Sequence, residues 1–224
     1  MNMTLFLRRA VVFLLLVSWR AYAADDTVKK IASAVDVRYN SLQSFKADFV
    51  ETYSGNGVSR RESGTLSLKR PGKMRWDYRQ PNQKLFLSDG KTAVFYVPGE
   101  RQARKAAVKN LDDFRSPLRY LLGKTKLEKE FDDLVVADAA TSKSQGNIIL
   151  SGVPKNMAGR VQRVLLEITP QSQIQRIVIE EVDGATTEFT FSNITENIAL
   201  AEAQFHFIAP PGVETIEATD LGGD

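Results

Sequence analysis

The sequence predicts a mainly β protein with a helical lid (α+β): an incomplete antiparallel β-barrel that encloses a hydrophobic cavity covered by α-helices. About ten strand-like runs follow one another at short spacing, with turn residues between them, whereas only two segments have helical periodicity. No change in composition marks a linker, so these elements belong to one domain.

The first 23 residues have the composition of a cleavable signal peptide. Arg8 and Arg9 form a positive n-region, residues 10–17 form a short apolar h-region, and Ala21-Tyr22-Ala23 is an A-x-A cleavage motif. The apolar run is far shorter than the roughly 20 residues that a membrane-spanning helix needs. We therefore predict export to the periplasm and a single domain over residues 24–224.

Charge and residue types exclude several classes of function. Three of the 30 basic residues and none of the 27 acidic residues lie in the signal segment, so residues 24–224 carry 27 of each. The sequence pI of 9.0 therefore does not predict nucleic-acid binding. The absence of cysteine excludes disulfides, thiolate catalysis and thiolate metal sites. We expect a monomer with no cofactor, no metal and no nucleic-acid partner.

The mature chain is predicted to begin with an amphipathic helix. Asp25 and Asp26 are favourable capping residues at its start. Its apolar residues recur at helical spacing, with polar residues between them: Val28, Ile31, Val35 and Leu42. A helix with one apolar face is typical of a cover over a sheet.

Strand-like alternation begins at Phe45 and returns through the C-terminal half of the chain. The predicted strands lie at residues 45–51, 64–69, 74–78, 84–87, 92–97, 135–136, 147–150, 161–168, 175–182, 185–191 and 205–208. The early spacings leave no room for crossover helices, so neighbouring strands are predicted to be antiparallel. Asp89-Gly90 and Asp183-Gly184 are the clearest hairpin turns.

The middle of the chain predicts one or two short helical pieces. Pro117 interrupts this segment and Gly123 ends it. Its apolar residues fall at helical spacing: Leu111, Phe114, Leu118, Leu121 and Leu122. Residues 124–133 are charged, and they either extend these helices or form a loop.

A flat sheet of about ten strands would expose a large apolar face and two long edges. Curling into a barrel or half-barrel reduces both problems, and the two helical segments then cover the concave side. A curled sheet that is too wide for side chains to fill leaves a cavity.

No residue pattern supplies an activated nucleophile. His206, the only histidine, lies in the last predicted strand, and no G-x-S-x-G motif accompanies it. The acidic pairs at residues 112–113 and 132–133 are more typical of solvated helix ends than of a metal site. We predict that the protein is not an enzyme.

Large apolar and aromatic side chains are dense on the early predicted strands. These side chains suit either an ordinary core or the lining of a cavity, and both interpretations stay open at this point. The basic run at residues 69–73 is likewise either a solvated turn or a functional feature. The candidate cavity residues are Trp76, Tyr78, Leu85, Leu87, Phe95, Phe114, Leu118 and Leu121.

A block of motifs between residues 64 and 103 resembles the LolA family, the periplasmic carriers of outer-membrane lipoproteins. The resemblance extends to residues 45–49 before this block and to residues 205–213 after it, so it covers most of the mature chain. The motifs are Lys69-Arg70-Pro71, Arg75-Trp76-Asp77-Tyr78, Pro81, Leu87-Ser88-Asp89-Gly90-Lys91, Tyr96-Val97-Pro98 and Gln102-Ala103.

This resemblance implies a half-barrel whose cavity accepts the acyl chains of lipoproteins. An ATP-driven inner-membrane transporter would release the guest, and an outer-membrane receptor would accept it. The resemblance also implies that Arg70 is a lid latch, with its guanidinium hydrogen-bonded to backbone carbonyls of the lid helices in the empty state. A lipid or lipoprotein sensor built on the same half-barrel is the alternative, and an envelope esterase that uses His206 is a more remote one.

Overall fold

The structure is a computed structural model that describes residues 26–108, 121, 125–218 and 221. A helix, α1, spans residues 26–41, and a one-turn helix, α2, spans Leu127–Glu130. The strands are β1 (Ser44–Gly55), β2 (Val58–Lys69), β3 (Lys73–Gln80), β4 (Lys84–Asp89), β5 (Thr92–Tyr96), β6 (Gln102–Ala107), β7 (Phe131–Val136), β8 (Ile148–Pro154), β9 (Val161–Ile168), β10 (Ile174–Glu181), β11 (Thr186–Glu196) and β12 (Glu214–Glu217).

All twelve strands form one sheet in the order β12-β6-β5-β4-β3-β2-β1-β11-β10-β9-β8-β7. Two antiparallel meanders, β1 to β6 and β7 to β11, are joined where β1 pairs with β11. β12 is the exception, because it pairs in parallel with β6. The sheet stays open, with edges at β12 and β7, as in an incomplete barrel. The predicted fold class is confirmed.

Helix α1 covers one face of this sheet. Val28, Ala32, Val35 and Tyr39 are buried and lie one above another at helical spacing. They belong to the same apolar cluster as buried residues of nearly every strand from β1 to β11. The predicted N-terminal helix is therefore confirmed. We call the face that packs against α1 the inner face, and the other the outer face.

The outer face has its own smaller apolar clusters. Val94, Tyr96 and Ala103 are covered by Phe207 and Val213 of the C-terminal segment. A second outer cluster contains residues of β8, β9 and β10. Several strands therefore bury apolar residues on both of their faces.

Ten of the eleven predicted strands are present. The exception is residues 205–208, where a short 3-10 helix, Glu202–Phe205, precedes irregular backbone. The prediction that His206 lies in a strand is therefore wrong, because the backbone N–H of His206 bonds back to the carbonyl of Ala203 and makes no ladder contact. Strands β6 and β12 were not predicted.

The predicted hairpin turns are present. In the β4–β5 turn, Asp89 Oδ1 accepts hydrogen bonds from the backbone N–H groups of Lys91 and Thr92, each at 2.8 Å. Gly90 has φ +95°, a conformation that favours glycine. Gly184, in the turn between β10 and β11, has φ +89°.

Most of the middle helical segment lies outside the described residues, including Leu111, Phe114, Leu118 and Leu122. Leu121 is described, and it is buried in the inner cluster. Residues 125–133, for which helix and loop were both open, contain α2 and the start of β7. Within the described ranges, no helix combines the length and apolar character that crossing a membrane requires.

Candidate functional site: the inner face and its helical cover

The inner face of strands β1 to β3 and β11 is rich in aromatic side chains. The centre of the Phe49 ring lies 4.7 Å from that of Trp76 and 5.0 Å from that of Tyr78, in edge-to-face geometry. Phe189 adds a ring 5.8 Å from Trp76. Strand alternation places these rings together, because β2 and β3 pair in register with Leu66 opposite Trp76.

The end of α1 is anchored by polar contacts to several parts of the chain. The buried hydroxyl of Tyr39 accepts a hydrogen bond of 2.9 Å from the backbone N–H of Ile174, and burial raises the pKa of this hydroxyl. Arg38 binds the carboxylate of Glu196 with two nitrogens, at 3.0 and 2.7 Å. The Asn40 side chain bonds the backbone of Thr125 in both directions. These bonds hold the C-terminal turn of α1 against the sheet.

Arg70 adds a bond to the same end of the helix. Its Nη2 donates to the carbonyl of Tyr39 at 2.8 Å, and its backbone N–H donates to the carbonyl of Gln43 at 3.0 Å. Tyr39 lies in the last turn of α1, where carbonyls lack partners within the helix. A pocket of about 10 Å³, lined by Leu42, Leu68 and Leu121 among others, lies beside Arg70. It has room for about one water molecule.

The inner face changes character along β1 to β4. Beyond Phe49 the next inner residue of β1 is Glu51, which lies opposite Glu62 of β2. Two like charges in this position would repel, but each has a partner. The hydroxyl of Tyr78 donates to Glu51 at 2.9 Å, and Lys84 Nζ lies 2.6 Å from Glu62 and 4.6 Å from the centre of the Tyr78 ring. We call this group the polar end of the inner face.

Four of the candidate cavity residues come together on the inner face. Trp76, Phe95 and Leu121 are buried in the inner cluster, and Tyr78 is partly buried against it. The guanidinium of Arg104 lies 5.1 Å from the centre of the Phe95 ring. Phe114 and Leu118 lie outside the described residues.

The assignment of Leu85 and Leu87 to the same cavity is corrected by the strand register. Leu85 lies opposite Asp77, and Leu87 lies opposite Arg75, whereas Phe86 lies opposite Trp76. Since successive strand residues point to opposite faces, both leucines are on the outer face. They therefore cannot line a space that Trp76 lines.

Several inner-face aromatics were not among the candidates. Their alternation within one strand could have identified them, because Phe45 and Phe49 lie four residues apart on β1 and Phe189 and Phe191 lie two apart on β11. The missing information was which face carries α1. The buried aromatic residues of the inner cluster that were not named are Tyr39, Phe45, Phe49, Phe86, Phe131, Phe189 and Phe191.

His206 is exposed beside an outer cleft of about 560 Å³, which Arg75, Arg79 and Tyr96 also line. In the described part of the chain, no group of three histidine, aspartate or glutamate side chains has the arrangement to hold a metal ion. The inner face, in contrast to this cleft, is an apolar surface bordered by the charged residues of the polar end. Such a surface suits binding of an amphiphile.

Known proteins are similar to this chain in sequence over most of its length. The family model described as outer membrane lipoprotein carrier protein LolA matches residues 40–208. The outer-membrane lipoprotein carrier protein of Nitrosospira multiformis is 31% identical over 79% of this chain and 86% of its own length. That of Nitrosomonas europaea is 30% identical over 79% and 84%.

A solved LolA superfamily structure, also from Nitrosomonas europaea, is 10% identical, covers 82% of this chain and 98% of its own, and superposes with a TM-score of 0.44. The match of the family model covers well over half of the residues, and two relatives reach 30% identity. The chain therefore belongs to the LolA family of outer membrane lipoprotein carrier proteins.

Proposed function

We propose that this protein is a periplasmic chaperone that binds the acyl chains of lipoproteins released from the inner membrane and delivers them to the outer membrane. The observation that carries this proposal is the apolar inner face, which is covered by a helix rather than by a second sheet. The names of the relatives at about 30% identity support it. Such a chaperone carries its guest without covalent chemistry.

The inner face offers two alternative partners for the same apolar surface. In the structure, α1 covers it with residues such as Val35 and Tyr39. When a guest enters, its acyl chains take the place of the helix. Burying a chain of about 15 methylenes is worth on the order of 10 kcal/mol, and a hydrogen bond from a charged donor is worth roughly 1.5–3 kcal/mol. Guest entry can therefore open a latch of the strength of Arg70.

The resemblance to the LolA family implies the route of the guest. A protein that carries lipidated polypeptides needs a membrane transporter that releases them and a receptor that accepts them. We assign these roles to an ATP-driven inner-membrane transporter and an outer-membrane lipoprotein receptor. Residues 1–23 serve as the export signal, residues 24–224 act as one domain, and the carrier works as a monomer.

Isolation of the carrier with its guest tests this proposal. The protein is purified from periplasm without detergent, and the bound material is identified by mass spectrometry. We expect polypeptides that carry acyl chains on their N-terminal cysteine. Recovery of free phospholipid alone would contradict the proposed guest.

A further inference from the structure

Trp76 carries an unpaired hydrogen-bond donor in the interior. Its side chain is fully buried, and its Nε1–H has no acceptor. Within the residues that the structure describes, it is the only buried side-chain donor in this state. Other buried polar groups of the sheet are paired, as with Ser44 Oγ, which donates to the carbonyl of Ile198 at 2.6 Å. An unpaired buried donor costs about 1–3 kcal/mol.

The surroundings of the indole offer only weak acceptors. Trp76 contacts the rings of Phe49, Tyr78 and Phe189, with centres 4.7 to 6.3 Å away. Its neighbours across the strands are Leu66 and Phe86, which have no polar side-chain atoms. An aromatic face accepts an N–H bond only weakly, so a carbonyl that reached this position would be the better partner.

The position of Trp76 on the inner face indicates which carbonyl that is. On β3 the inner residues run from Met74 through Trp76 to Tyr78, whose hydroxyl already bonds Glu51 at the polar end. Trp76 therefore lies in the last fully buried layer before the charged border. In a diacyl lipid the ester carbonyls occupy the same place, between the hydrocarbon chains and the polar head.

Building on the proposed carrier function, we propose that Trp76 Nε1–H donates a hydrogen bond to an ester carbonyl of the bound diacyl group. This bond fixes the depth and direction of the guest. The acyl chains then lie toward Phe45 and Met74, which share a cluster with α1, and the polar part of the guest leaves past Tyr78 and Glu51. Trp76 is in this sense a positioning residue for ester-linked lipids.

Ether-linked analogues test the bond directly, because they keep the chains and lack the carbonyl. Two peptides are compared, one with diacylglyceryl cysteine and one with dialkylglyceryl cysteine. For the full-length protein we expect tighter binding of the ester. Trp76→Phe should lower ester affinity about 5- to 10-fold and leave ether affinity unchanged. As a control, Phe86→Leu changes packing next to Trp76 without removing a donor, and should affect both peptides equally.

The indole N–H also reports on the bond in the unaltered protein. In a ¹⁵N-labelled sample of residues 24–224, Trp76 is the only tryptophan and gives the only indole signal. This signal should move downfield with the ester peptide but not with the ether peptide. This measurement decides the matter if Trp76→Phe does not fold.

The possible outcomes separate failure of the hydrogen bond from failure of the carrier function. Equal losses for both peptides, no loss for either, or an unmoved indole signal would overturn the hydrogen bond while leaving the carrier function intact. Failure of the unaltered protein to bind either peptide would overturn the carrier function itself. A diacyl phospholipid is the third ligand: an indole shift with this lipid alone would keep the ester bond and contradict a lipoprotein guest.

Discussion

Two arginines, Arg70 and Arg176, make carbonyl contacts on opposite faces of the sheet, and they differ in how firmly they are held. Arg176 lies on the outer face with its side chain only 8% exposed. Its three nitrogens bond Glu167 at 2.6 Å, Glu188 at 3.2 Å and the carbonyl of Thr141 at 2.6 Å. Glu167 in turn accepts bonds from the loop between β7 and β8.

Arg70 is only half-buried, and its side chain has one described bond, to the carbonyl of Tyr39. Loss of this bond removes one donor from a neutral carbonyl, whereas loss of Arg176 leaves the buried carboxylate of Glu167 without its counterion. The comparison indicates that the outer-face network stabilises a closed arrangement, and that the single Arg70 bond to α1 can break at modest cost.

The largest effect is expected from Arg176→Leu. Removal of the guanidinium leaves Glu167 as a buried charge without a counterion, so the free energy of unfolding should fall by about 3–5 kcal/mol. Urea unfolding at neutral pH measures this change. Arg163→Leu is the matched control on the same face, because Arg163 and Glu180 are 50% and 28% exposed and such pairs contribute less than about 1 kcal/mol. Similar losses in the two variants would contradict the comparison.

Arg70→Leu should have a smaller effect on stability and a distinct effect on transfer. The empty protein should lose about 1 kcal/mol, because Arg38, Tyr39 and Asn40 still hold the end of α1. Guest uptake should be nearly unchanged, but release should slow, since the closed state no longer regains the latch bond when the guest leaves.

Transfer of a labelled lipopeptide from the loaded variant to its receptor measures this effect. Lys69→Met is the neighbouring control: Lys69 bonds the carbonyl of Leu200 and pairs with Glu202, and has no described contact with α1. Release at the normal rate from Arg70→Leu would remove Arg70 from the mechanism.

The strands differ in how clearly the sequence predicts them. Ten strands were predicted because large apolar residues alternate in them. β6 was missed because the residues that it buries, Ala103 and Ala106, are small, and β12 because it is a polar edge strand. Residues 205–208 resemble a strand because apolar and polar residues alternate from Phe205 to Phe207. The centre of the Phe207 ring nevertheless lies 5.6 Å from that of Tyr96 on the outer face, and this segment does not pair in the sheet.

The faces of the strands were harder to predict than the strands. Where both sides of a sheet are buried, apolar residues fill consecutive positions and the period of two no longer identifies the inner side. Leu87 and Phe86 are both buried on β4, which is why Leu87 was placed in the cavity. The Glu167–Arg176 pair has no local pattern either, because strand register alone brings these residues together.

Two carboxylates in these regions should respond to acid in opposite directions. Burial by itself raises the pKa of Glu167, but hydrogen bonds from Arg176 and Asn147 outweigh burial and hold the pKa below its ordinary value of 4.5. Burial also raises the pKa of Asp36 in α1, and here it outweighs the bonds from Thr125 and Leu127, so the pKa lies above 3.8.

The smallest expected effect is therefore a pair of opposite pH slopes. The stabilisation from Glu167 is present above pH 4.5 and is lost as the pH falls through its lower folded pKa, so the stability advantage of the protein over Glu167→Gln should shrink in acid. Protonated Asp36 favours the folded state below pH 3.8, and this contribution is lost as the pH rises through its higher folded pKa, so the advantage over Asp36→Asn should shrink toward neutral pH. Urea unfolding at several values between about pH 3 and pH 6 measures both slopes, and slopes of the same sign would contradict the assignment.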